Sequence, residues 1–363
     1  MTEPNPNPNP NPNPVYSLDN YTHLKDFHYY EDSHSQFDYQ KPFLLVDSSY
    51  VIFYRFFALR TWYSMAHKEK FAIVNNSDEY DWMGDTVFME KFNKTFLDGI
   101  LKLLKKYKIP SSNLIFSLDC PSWEIWRHTI INGYKENRKD SHIKSKFYCY
   151  KIFAHAEENI IAPYAKLHKS HIARVKNAEG DDINAVLIQH IRQSQSQSQS
   201  QSSEIYIVAT DCDYIQMCDD NTHLLDIKGK NLSNPKLTST HCKLKYLITK
   251  ILVGDKSDEI PPCLISSKFL LSTKILTRNT SKEYTNCSIK LVEKMILDSE
   301  IYNMLLTTFN SNRNRSHGGN IDGNSDGNDL FKNNQFQINQ TLIDFHFIPQ
   351  SIRQNILNIF GLK

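Results

Sequence analysis

Three short apolar runs, each followed by or ending close to an aspartate, constrain the fold of this chain most strongly. They occupy residues 43–46 before Asp47, residues 113–118 before Asp119, and residues 205–209 before Asp211. Short apolar runs bounded by polar residues are typical of buried parallel strands. Amphipathic segments separate the runs, and alternating strands and helices favour a mostly parallel central sheet with helices on both faces. We therefore predict an α/β fold in which the three aspartates share the carboxyl edge of the sheet, where ligands bind in such folds.

The segments between the predicted strands carry helical periodicity. Between residues 85 and 107, apolar residues recur at i, i+3 and i+4, and lysines occupy the opposite face. This spacing is typical of an amphipathic helix whose charged face is solvated. We predict helices over 50–59, 85–107, 152–169 and 181–192, an edge strand at 224–225, and a loop over 66–84.

Low-complexity segments divide the chain. Asparagine and proline alternate over residues 4–14, and a glutamine and serine repeat occupies 193–203. Neither composition can bury apolar surface. The predicted organisation is a leader at 1–40, an α/β domain at 41–260 with a basic segment at 121–151, a helical region at 245–309, a second insertion at 310–334 and a helical C-terminal segment at 335–363.

Composition limits which cellular compartment and which classes of partner can be expected. The net charge of +2 gives no overall basicity, so a nucleic-acid surface would have to come from local clustering. Seven cysteines without CxxC pairs or zinc-spaced histidines argue against a disulfide framework and a structural zinc site. No apolar run approaches the ~18 residues that span a bilayer, and no signal-peptide pattern opens the sequence. We expect a soluble, intracellular protein without a membrane partner.

Acidic residues are unusually crowded in the segment 177–183. Glu179, Asp181 and Asp182 open a segment that otherwise has the pattern of a buried helix, and their like charges cost free energy unless a cation binds there. Glu179 and Asp182 are three residues apart, which places them on one helix face, and Asp255 and Asp258 repeat that spacing. Each pair by itself is more often a helix cap or a solvated turn. Their convergence on one sheet edge favours a metal site instead.

The expected metal follows from the ligand chemistry. Carboxylates without paired histidines or cysteines select a hard cation, Mg²⁺, with Mn²⁺ as a substitute. This many carboxylates exceeds the needs of one Mg²⁺ ion, and two ions about 3.5–4 Å apart are the arrangement that cuts phosphodiesters. Between residues 123 and 151, basic side chains alternate with aromatic rings, a pattern that can hold phosphates and stack bases. A solvated helical hairpin is the equally compatible alternative for that segment by itself.

In order along residues 43–262, these pieces resemble the motifs of the 5′-nuclease superfamily. That superfamily comprises the 5′→3′ exonuclease domain of bacterial DNA polymerase I, phage 5′-exonucleases and flap endonucleases. Ala178-Glu179-Gly180-Asp181-Asp182 is similar to the family's Glu-Ala-Asp-Asp, and Gly254-Asp255-Lys256-Ser257-Asp258-Glu259-Ile260-Pro261 to its Gly-Asp-x-x-Asp-Asn-Ile-Pro. Trp126-Arg127 with Tyr134-Lys135-Glu136-Asn137-Arg138 resembles the arch motif. Further matching pieces are 43–49 with 54–59, 116–119 and 210–213.

The resemblance implies a PIN-like sheet with a C-terminal helical DNA-binding region. It also implies a monomeric, Mg²⁺-dependent nuclease of DNA replication or repair that cuts DNA at 5′ ends, flaps or branches, or the RNA of RNA:DNA hybrids. Carried over residue by residue, Lys135 and Arg138 would be catalytic. Two metal ions would be held by Asp47, Asp119, Glu179, Asp181, Asp182, Asp211, Asp213, Asp255 and Asp258. Nucleic acid would be contacted by Tyr54, Arg55, Arg127, Lys135, Arg138, Lys139 and Lys268.

One departure from the family pattern concerns duplex binding. After Pro261 the family continues into a glycine-rich hairpin, whereas this chain has Pro262-Cys263-Leu264-Ile265-Ser266-Ser267-Lys268. Glycines allow a backbone to approach phosphates closely, so their absence removes that route to duplex DNA. Two other functions stay open: a catalytically inactive DNA-structure-binding protein of the same fold, and a PIN-type ribonuclease.

Overall fold

The computed structural model of the protein describes residues 36–75, 80–137, 151–197, 203–233, 243–277, 282–315 and 330–362. Five parallel strands form the central sheet in the order β3-β2-β1-β4-β5, which confirms the predicted α/β class. The strands are β1 (Phe43–Asp47), β2 (Leu114–Leu118), β3 (His171–Arg174), β4 (Ile205–Val208) and β5 (Thr222–Leu225). The predicted strand at 224–225 is confirmed at the edge of the sheet, whereas the short opposite edge strand β3 was not predicted.

Helices cover both faces of this sheet. Those of the N-terminal half are α1 (Ser48–Ala66), α2 (Lys68–Asn75), α3 (Thr86–Thr95), α4 (Asp98–Tyr107), α5 (Lys151–Ala156) and α6 (Ala162–His168), the last two joined by a π-helical turn (Glu157–Ile161). The later helices are α7 (Gly180–Gln197), α8 (Lys243–Val253), α9 (Ser267–Ser272), α10 (Ile289–Leu297), α11 (Ser299–Arg315), α12 (Gln335–Ile343) and α13 (Gln350–Ile359). Among the described residues no helix is both long and apolar enough to cross a membrane.

Alternate side chains of β1 belong to two separate hydrophobic cores, one on each face of the sheet. Leu44 and Val46 pack with α1, α3 and α4 on one face, while Phe43 and Leu45 pack with α7 and α13 on the other. Successive strand residues point to opposite faces, so a central strand covered on both sides must be apolar at every position. A third core joins α8, α10, α11 and α12 to the segment around Tyr134. In the second core, the C-terminal helix α13 packs against α7.

Several predicted boundaries are wrong. The single helix expected over 85–107 is two, α3 and α4, separated by a turn at Phe96 and Leu97. Gly99, in the first turn of α4, packs so closely against Ile227 that an added Cβ would lie 2.6 Å from it. The expected loop at 66–84 contains α2. Helix α7 continues to Gln197, into the predicted glutamine and serine insertion, and α11 continues to Arg315, into the predicted insertion at 310–334.

The region after residue 260 is not only helical. A short antiparallel pair, β6 (Leu264–Ser266) and β7 (Tyr284–Asn286), flanks α9. β6 and the start of α9 occupy the segment 262–268, where the resemblance predicts a glycine-rich hairpin. Lys268 lies exposed in the first turn of α9.

A buried carboxylate joins the helices of the N-terminal half. Asp85 caps α3 by accepting from the Phe88 amide at 3.0 Å, and its other oxygen accepts from the hydroxyls of Tyr63 at 2.6 Å and Tyr80 at 2.5 Å and from Lys70 at 3.0 Å. Burial raises the pKa of Asp85, but these hydrogen bonds outweigh it and hold the pKa below its usual range. The ionised carboxylate is therefore the form that the fold stabilises.

We expect Asp85→Ala to lower the free energy of unfolding by about 2–4 kcal/mol, since it removes a helix cap and leaves buried hydroxyls unpaired. Because the pKa is depressed in the folded protein, the contribution of Asp85 is complete above about pH 4 and is lost as the pH falls below that value. Urea unfolding at pH 7 and pH 3 measures both effects. Glu90→Ala, on the exposed side of α3, is the control, and equal losses in the two variants would contradict the assignment.

Candidate active site

Asp47 and Asp119 follow neighbouring strands at the carboxyl edge of the sheet, as predicted. Asp47 ends β1 and caps α1 by accepting from the Tyr50 amide at 3.0 Å. Asp119 follows β2 and accepts from the Ser49 hydroxyl at 2.5 Å and from the Gly180 amide at 2.7 Å. Burial, and then the charges of Asp119 and Asp211, raise the pKa of Asp47 to about 7. The carboxylates at the ends of β1 and β2 therefore lie close to each other and to the start of α7.

The start of α7 holds the first carboxylate group. Oxygens of Glu179, Asp181 and Asp182 lie within 4.8 Å of one another. Glu179 precedes the helix, and its amide donates to Asp182 at 3.1 Å, so Asp182 acts as the capping side chain. One oxygen of Asp181, Oδ1, is buried without a hydrogen-bond partner. Burial, followed by the charges of Asp182 and Glu179, raises the pKa of Asp181 well above its usual range.

A second group of carboxylates comes from two other places: Asp213 after β4, and Asp255 and Asp258 in the turn after α8. The spacing of Asp255 and Asp258 suggested a helix face, but both lie in a tight turn. Gly254 begins this turn with a φ of 75°, and a Cβ there would lie 2.4 Å from the Ile260 carbonyl oxygen. Only glycine fits at such a position.

Lys250, on the last turn of α8, holds this second group together. Its ammonium contacts Asp213 and lies 2.9 Å from Asp255. Burial raises the pKa of Asp255, but Lys250 and then Ser257 outweigh it and lower the pKa to about 2. Burial raises the pKa of Asp213 to about 6, opposed by Lys250 and reinforced by Asp211. Lys250 was not among the predicted site residues, although a lone charge inside the apolar segment 247–253 was the signal.

Lys135 and Tyr134 connect the two carboxylate groups. The Lys135 ammonium lies 2.5 Å from Glu179 in the first group and 3.6 Å from Asp258 in the second. The Tyr134 hydroxyl donates to the same two residues at 3.2 Å and 3.3 Å. Lys135 has a left-handed backbone, with φ at 59°, and its amide donates to the Asp258 carbonyl. The two groups therefore face each other across one cation.

Arg127 was predicted to contact nucleic acid, and this prediction is corrected because the side chain is buried against carboxylates of the protein itself. Its side chain is 3% exposed, and its guanidinium donates to Glu179 and Asp182. Trp126, from the same aromatic and basic segment, is also buried, and its indole donates to Asp182 at 3.0 Å. A sequence pattern of basic and aromatic residues does not distinguish side chains that reach outward from those that bind the protein's own acids.

The other predicted nucleic-acid residues lie in different surroundings. Tyr54 and Arg55 are half-buried in α1, and the Arg55 guanidinium is 3.4 Å from the Phe96 carbonyl oxygen. Asp211, which was predicted as a metal ligand, is exposed, and its carboxylate accepts from the Asp213 amide at 2.8 Å. Arg138 and Lys139 lie outside the described residues, so their predicted roles remain predictions.

This arrangement fits a hard divalent cation. Carboxylates of five separate segments are brought to one edge, several have pKa values raised by burial and mutual repulsion, and the Asp181 oxygen is buried without a partner. Such a site is stabilised by added positive charge and offers the oxygen ligands that Mg²⁺ or Mn²⁺ prefers. Asp181 is the ligand that the geometry favours most, because the oxygens of Asp182 are already taken by donors of the protein.

Several known proteins are similar to this chain. Residues 42–246 match the family described as the 5′-3′ exonuclease, N-terminal resolvase-like domain. Ribonuclease H of enterobacteria phage T4 is 22% identical over 325 residues, covering 89% of this chain and 88% of the phage protein. A flap endonuclease of bacteriophage T5, solved with DNA and metal ions, aligns with a TM-score of 0.47 and 12% identity over 88% of this chain and 100% of its own.

The T5 5′-exonuclease with bound zinc aligns over the same shares of the two chains, with a TM-score of 0.45 and 12% identity. The family match covers more than half of the chain and includes β1 to β5 with the acids that follow them. The chain therefore belongs to the 5′-3′ exonuclease family, within the 5′-nuclease superfamily, and is a nuclease.

Proposed function

We propose that this nuclease cuts DNA at 5′ ends and 5′ flaps with two divalent metal ions, Mg²⁺ or Mn²⁺. The observation that carries the proposal is the pair of carboxylate groups that face each other across Lys135. Two carboxylate groups can hold two ions, and a cation between them can contact a phosphate that lies across both. The T5 flap endonuclease solved with DNA and metal ions is consistent with the same substrate class.

The metal ions, when bound, would activate a water molecule and stabilise the leaving oxygen. The protein's own residues have distinct parts in this arrangement. Asp181 would hold one ion, and Asp213, with Asp258, would hold the other, with Asp47, Asp119, Glu179, Asp211 and Asp255 around them. Lys135, and Arg138 by carry-over from the family, would neutralise charge on the scissile phosphate. Lys250 fixes Asp213 and Asp255 at the distances seen.

A second substrate has one specific argument in its favour. The T4 relative is named ribonuclease H, and we propose that the RNA strand of an RNA:DNA hybrid is also cut. Since the metal ions and Lys135 act on phosphates, the same site can serve either backbone, and selectivity has to come from the surfaces that hold the duplex.

The test uses end-labelled 5′-flap DNA, nicked DNA, RNA:DNA hybrid and single-stranded RNA. We expect products from the flap with Mg²⁺ or Mn²⁺ and none with EDTA, with product lengths that place the cut at the 5′ side. Flap binding without any cleavage under metal would instead favour an inactive DNA-structure-binding protein. Cleavage of single-stranded RNA alone would favour a PIN-type ribonuclease.

A further inference from the structure

Arg127 is the most completely buried cation next to the carboxylate groups described above. Its Nη2 donates to Asp182 Oδ1 at 2.8 Å, and its Nη1 donates to Asp182 Oδ2 at 3.0 Å and to Glu179 Oε2 at 2.9 Å. Its Nε donates to the carbonyl oxygen of Leu342 at 2.9 Å. A planar guanidinium that holds one carboxylate with two nitrogens fixes the direction of that carboxylate as well as its position.

These contacts decide which acid can bind a metal ion. Both oxygens of Asp182 accept from Arg127, and one also accepts from the Trp126 indole and the Glu179 amide. The next residue back, Asp181, lies on another side of α7 and keeps Oδ1 free of hydrogen bonds. Neighbouring positions on a helix point about 100° apart. Holding Asp182 against Arg127 therefore turns Asp181 toward the carboxyl edge of the sheet.

Arg127 also ties the site to a distant part of the chain. Leu342 belongs to α12, more than 200 positions along the sequence. Close by, Gln216 donates to the Ile343 carbonyl at 3.0 Å and accepts from the Phe345 amide at 3.0 Å. The segment 342–345 thus contacts two parts of the active-site edge through its backbone, and backbone contacts do not depend on the side chains present there.

We propose that Arg127 is a positioning residue that holds Glu179 and Asp182 against the Leu342 carbonyl and so orients the first carboxylate group for metal binding. The proposal rests on the metal-dependent function proposed above. It assigns Arg127 no contact with nucleic acid. Residues that orient metal ligands typically change metal affinity about 10- to 100-fold when they are replaced.

Arg127→Lys keeps the charge and loses the planar fork, so it is the informative variant. Arg192→Lys is the matched control. Arg192 lies on α7, the helix that carries Asp181 and Asp182, but its hydrogen bonds go to Ser203, Asn221 and Thr222, near the amino ends of β4 and β5. Mn²⁺ affinity of the full chain without DNA is measured by titration calorimetry, and kcat and KM on the flap substrate are measured separately.

We expect Arg127→Lys to weaken Mn²⁺ binding by about tenfold or more and to lower kcat, with KM for the flap changed less than about threefold. Arg192→Lys should leave Mn²⁺ affinity unchanged even where it lowers the melting temperature equally. Unchanged Mn²⁺ affinity in Arg127→Lys, or a higher KM with unchanged kcat, would overturn the proposal, and the latter would identify a nucleic-acid contact. If the parent protein binds no Mn²⁺ and cuts no flap, the proposed function fails instead.

If Arg127→Lys does not fold, the double variant Arg127→Met with Asp182→Leu replaces the buried ion pair by apolar side chains, which buried sites often tolerate. This variant also frees Glu179 from its guanidinium partner. We expect it to fold and to bind Mn²⁺ at least about tenfold more weakly than the parent. Parental Mn²⁺ affinity in the double variant would show that Arg127 does not position the site.

Discussion

Asp181→Asn is expected to lower metal-dependent flap cleavage by roughly a hundredfold or more and, at the same time, to raise the melting temperature of the metal-free protein. Asn keeps the shape of the side chain and removes its charge. The buried Oδ1 of Asp181 has no donor, and burial with the charges of Asp182 and Glu179 raises its pKa. The ionised form therefore destabilises the fold at neutral pH.

The sign of the stability effect follows from that raised pKa. A carboxyl group whose pKa is higher in the folded than in the unfolded protein lowers stability once the pH exceeds its unfolded pKa of about 4. Removing the charge removes this cost, and each kcal/mol recovered raises the melting temperature by roughly 2–4 °C for a domain of this size. Mg²⁺ should therefore raise the melting temperature of the parent protein more than that of Asp181→Asn, which keeps only the second carboxylate group intact.

Thermal melts with and without Mg²⁺, together with flap cleavage assays, check both halves of this prediction. Asp220→Asn is the control, because Asp220 is exposed in the turn before β5, at the opposite edge of the sheet. It should change neither property. A variant Asp181→Asn that cuts normally and melts lower than the parent would exclude Asp181 from the site.

Lys135→Ala is expected to lower kcat by about 10²- to 10³-fold while Mn²⁺ affinity stays equal or increases. The Lys135 ammonium is shared by Glu179 and Asp258, so its loss leaves both carboxylate groups more negative. A metal ion then no longer competes with the Lys135 ammonium for these carboxylates, whereas the scissile phosphate loses the positive charge that Lys135 supplies. A left-handed backbone with a φ of 59° is equally unfavourable for alanine and for lysine. The comparison therefore reports on the loss of the side chain alone.

Lys176→Ala, an exposed lysine in the loop after β3, is the matched control and should cut as the parent does. The change in Mn²⁺ affinity distinguishes the role of Arg127 from that of Lys135, because Arg127→Lys is expected to weaken Mn²⁺ binding and Lys135→Ala is not. A large loss of Mn²⁺ affinity in Lys135→Ala would mean that Lys135 supports the fold of the site and does not act on the phosphate.

Strand ends were the most predictable part of this protein. Asp47 and Asp119 follow apolar runs, and parallel strands bring their carboxyl ends to one edge whatever the details of packing. β3 was missed because His171-Ile172-Ala173-Arg174 is short and has polar ends, although both of those ends are buried in the structure. The break between α3 and α4 was missed because the apolar spacing continues through Phe96 and Leu97, so the local pattern shows no interruption there.

Roles within the site were less predictable than its place. Asp181 and Asp182 are adjacent acids that the sequence cannot tell apart, yet one is held by Arg127 and the other has an oxygen without a partner. Arg127 and Lys135 stand eight positions apart in one basic and aromatic segment, and they differ in what they contact. Lys250 was not predicted as a site residue, because the acids around it come from two other segments.

Sequence reasoning was enough for the acid-bearing strands β1, β2 and β4, the carboxyl edge where their acids meet and the family to which the chain belongs, because these depend on local apolar patterns and on motifs of fixed spacing. Which carboxylates are paired, and which can take a metal ion, depended on the folded structure. That choice depends on Arg127, Tyr134, Lys135, Lys250 and the Leu342 carbonyl, which reach the acids from distant parts of the chain. Pairing between distant segments is a property of packing, and no local pattern encodes it.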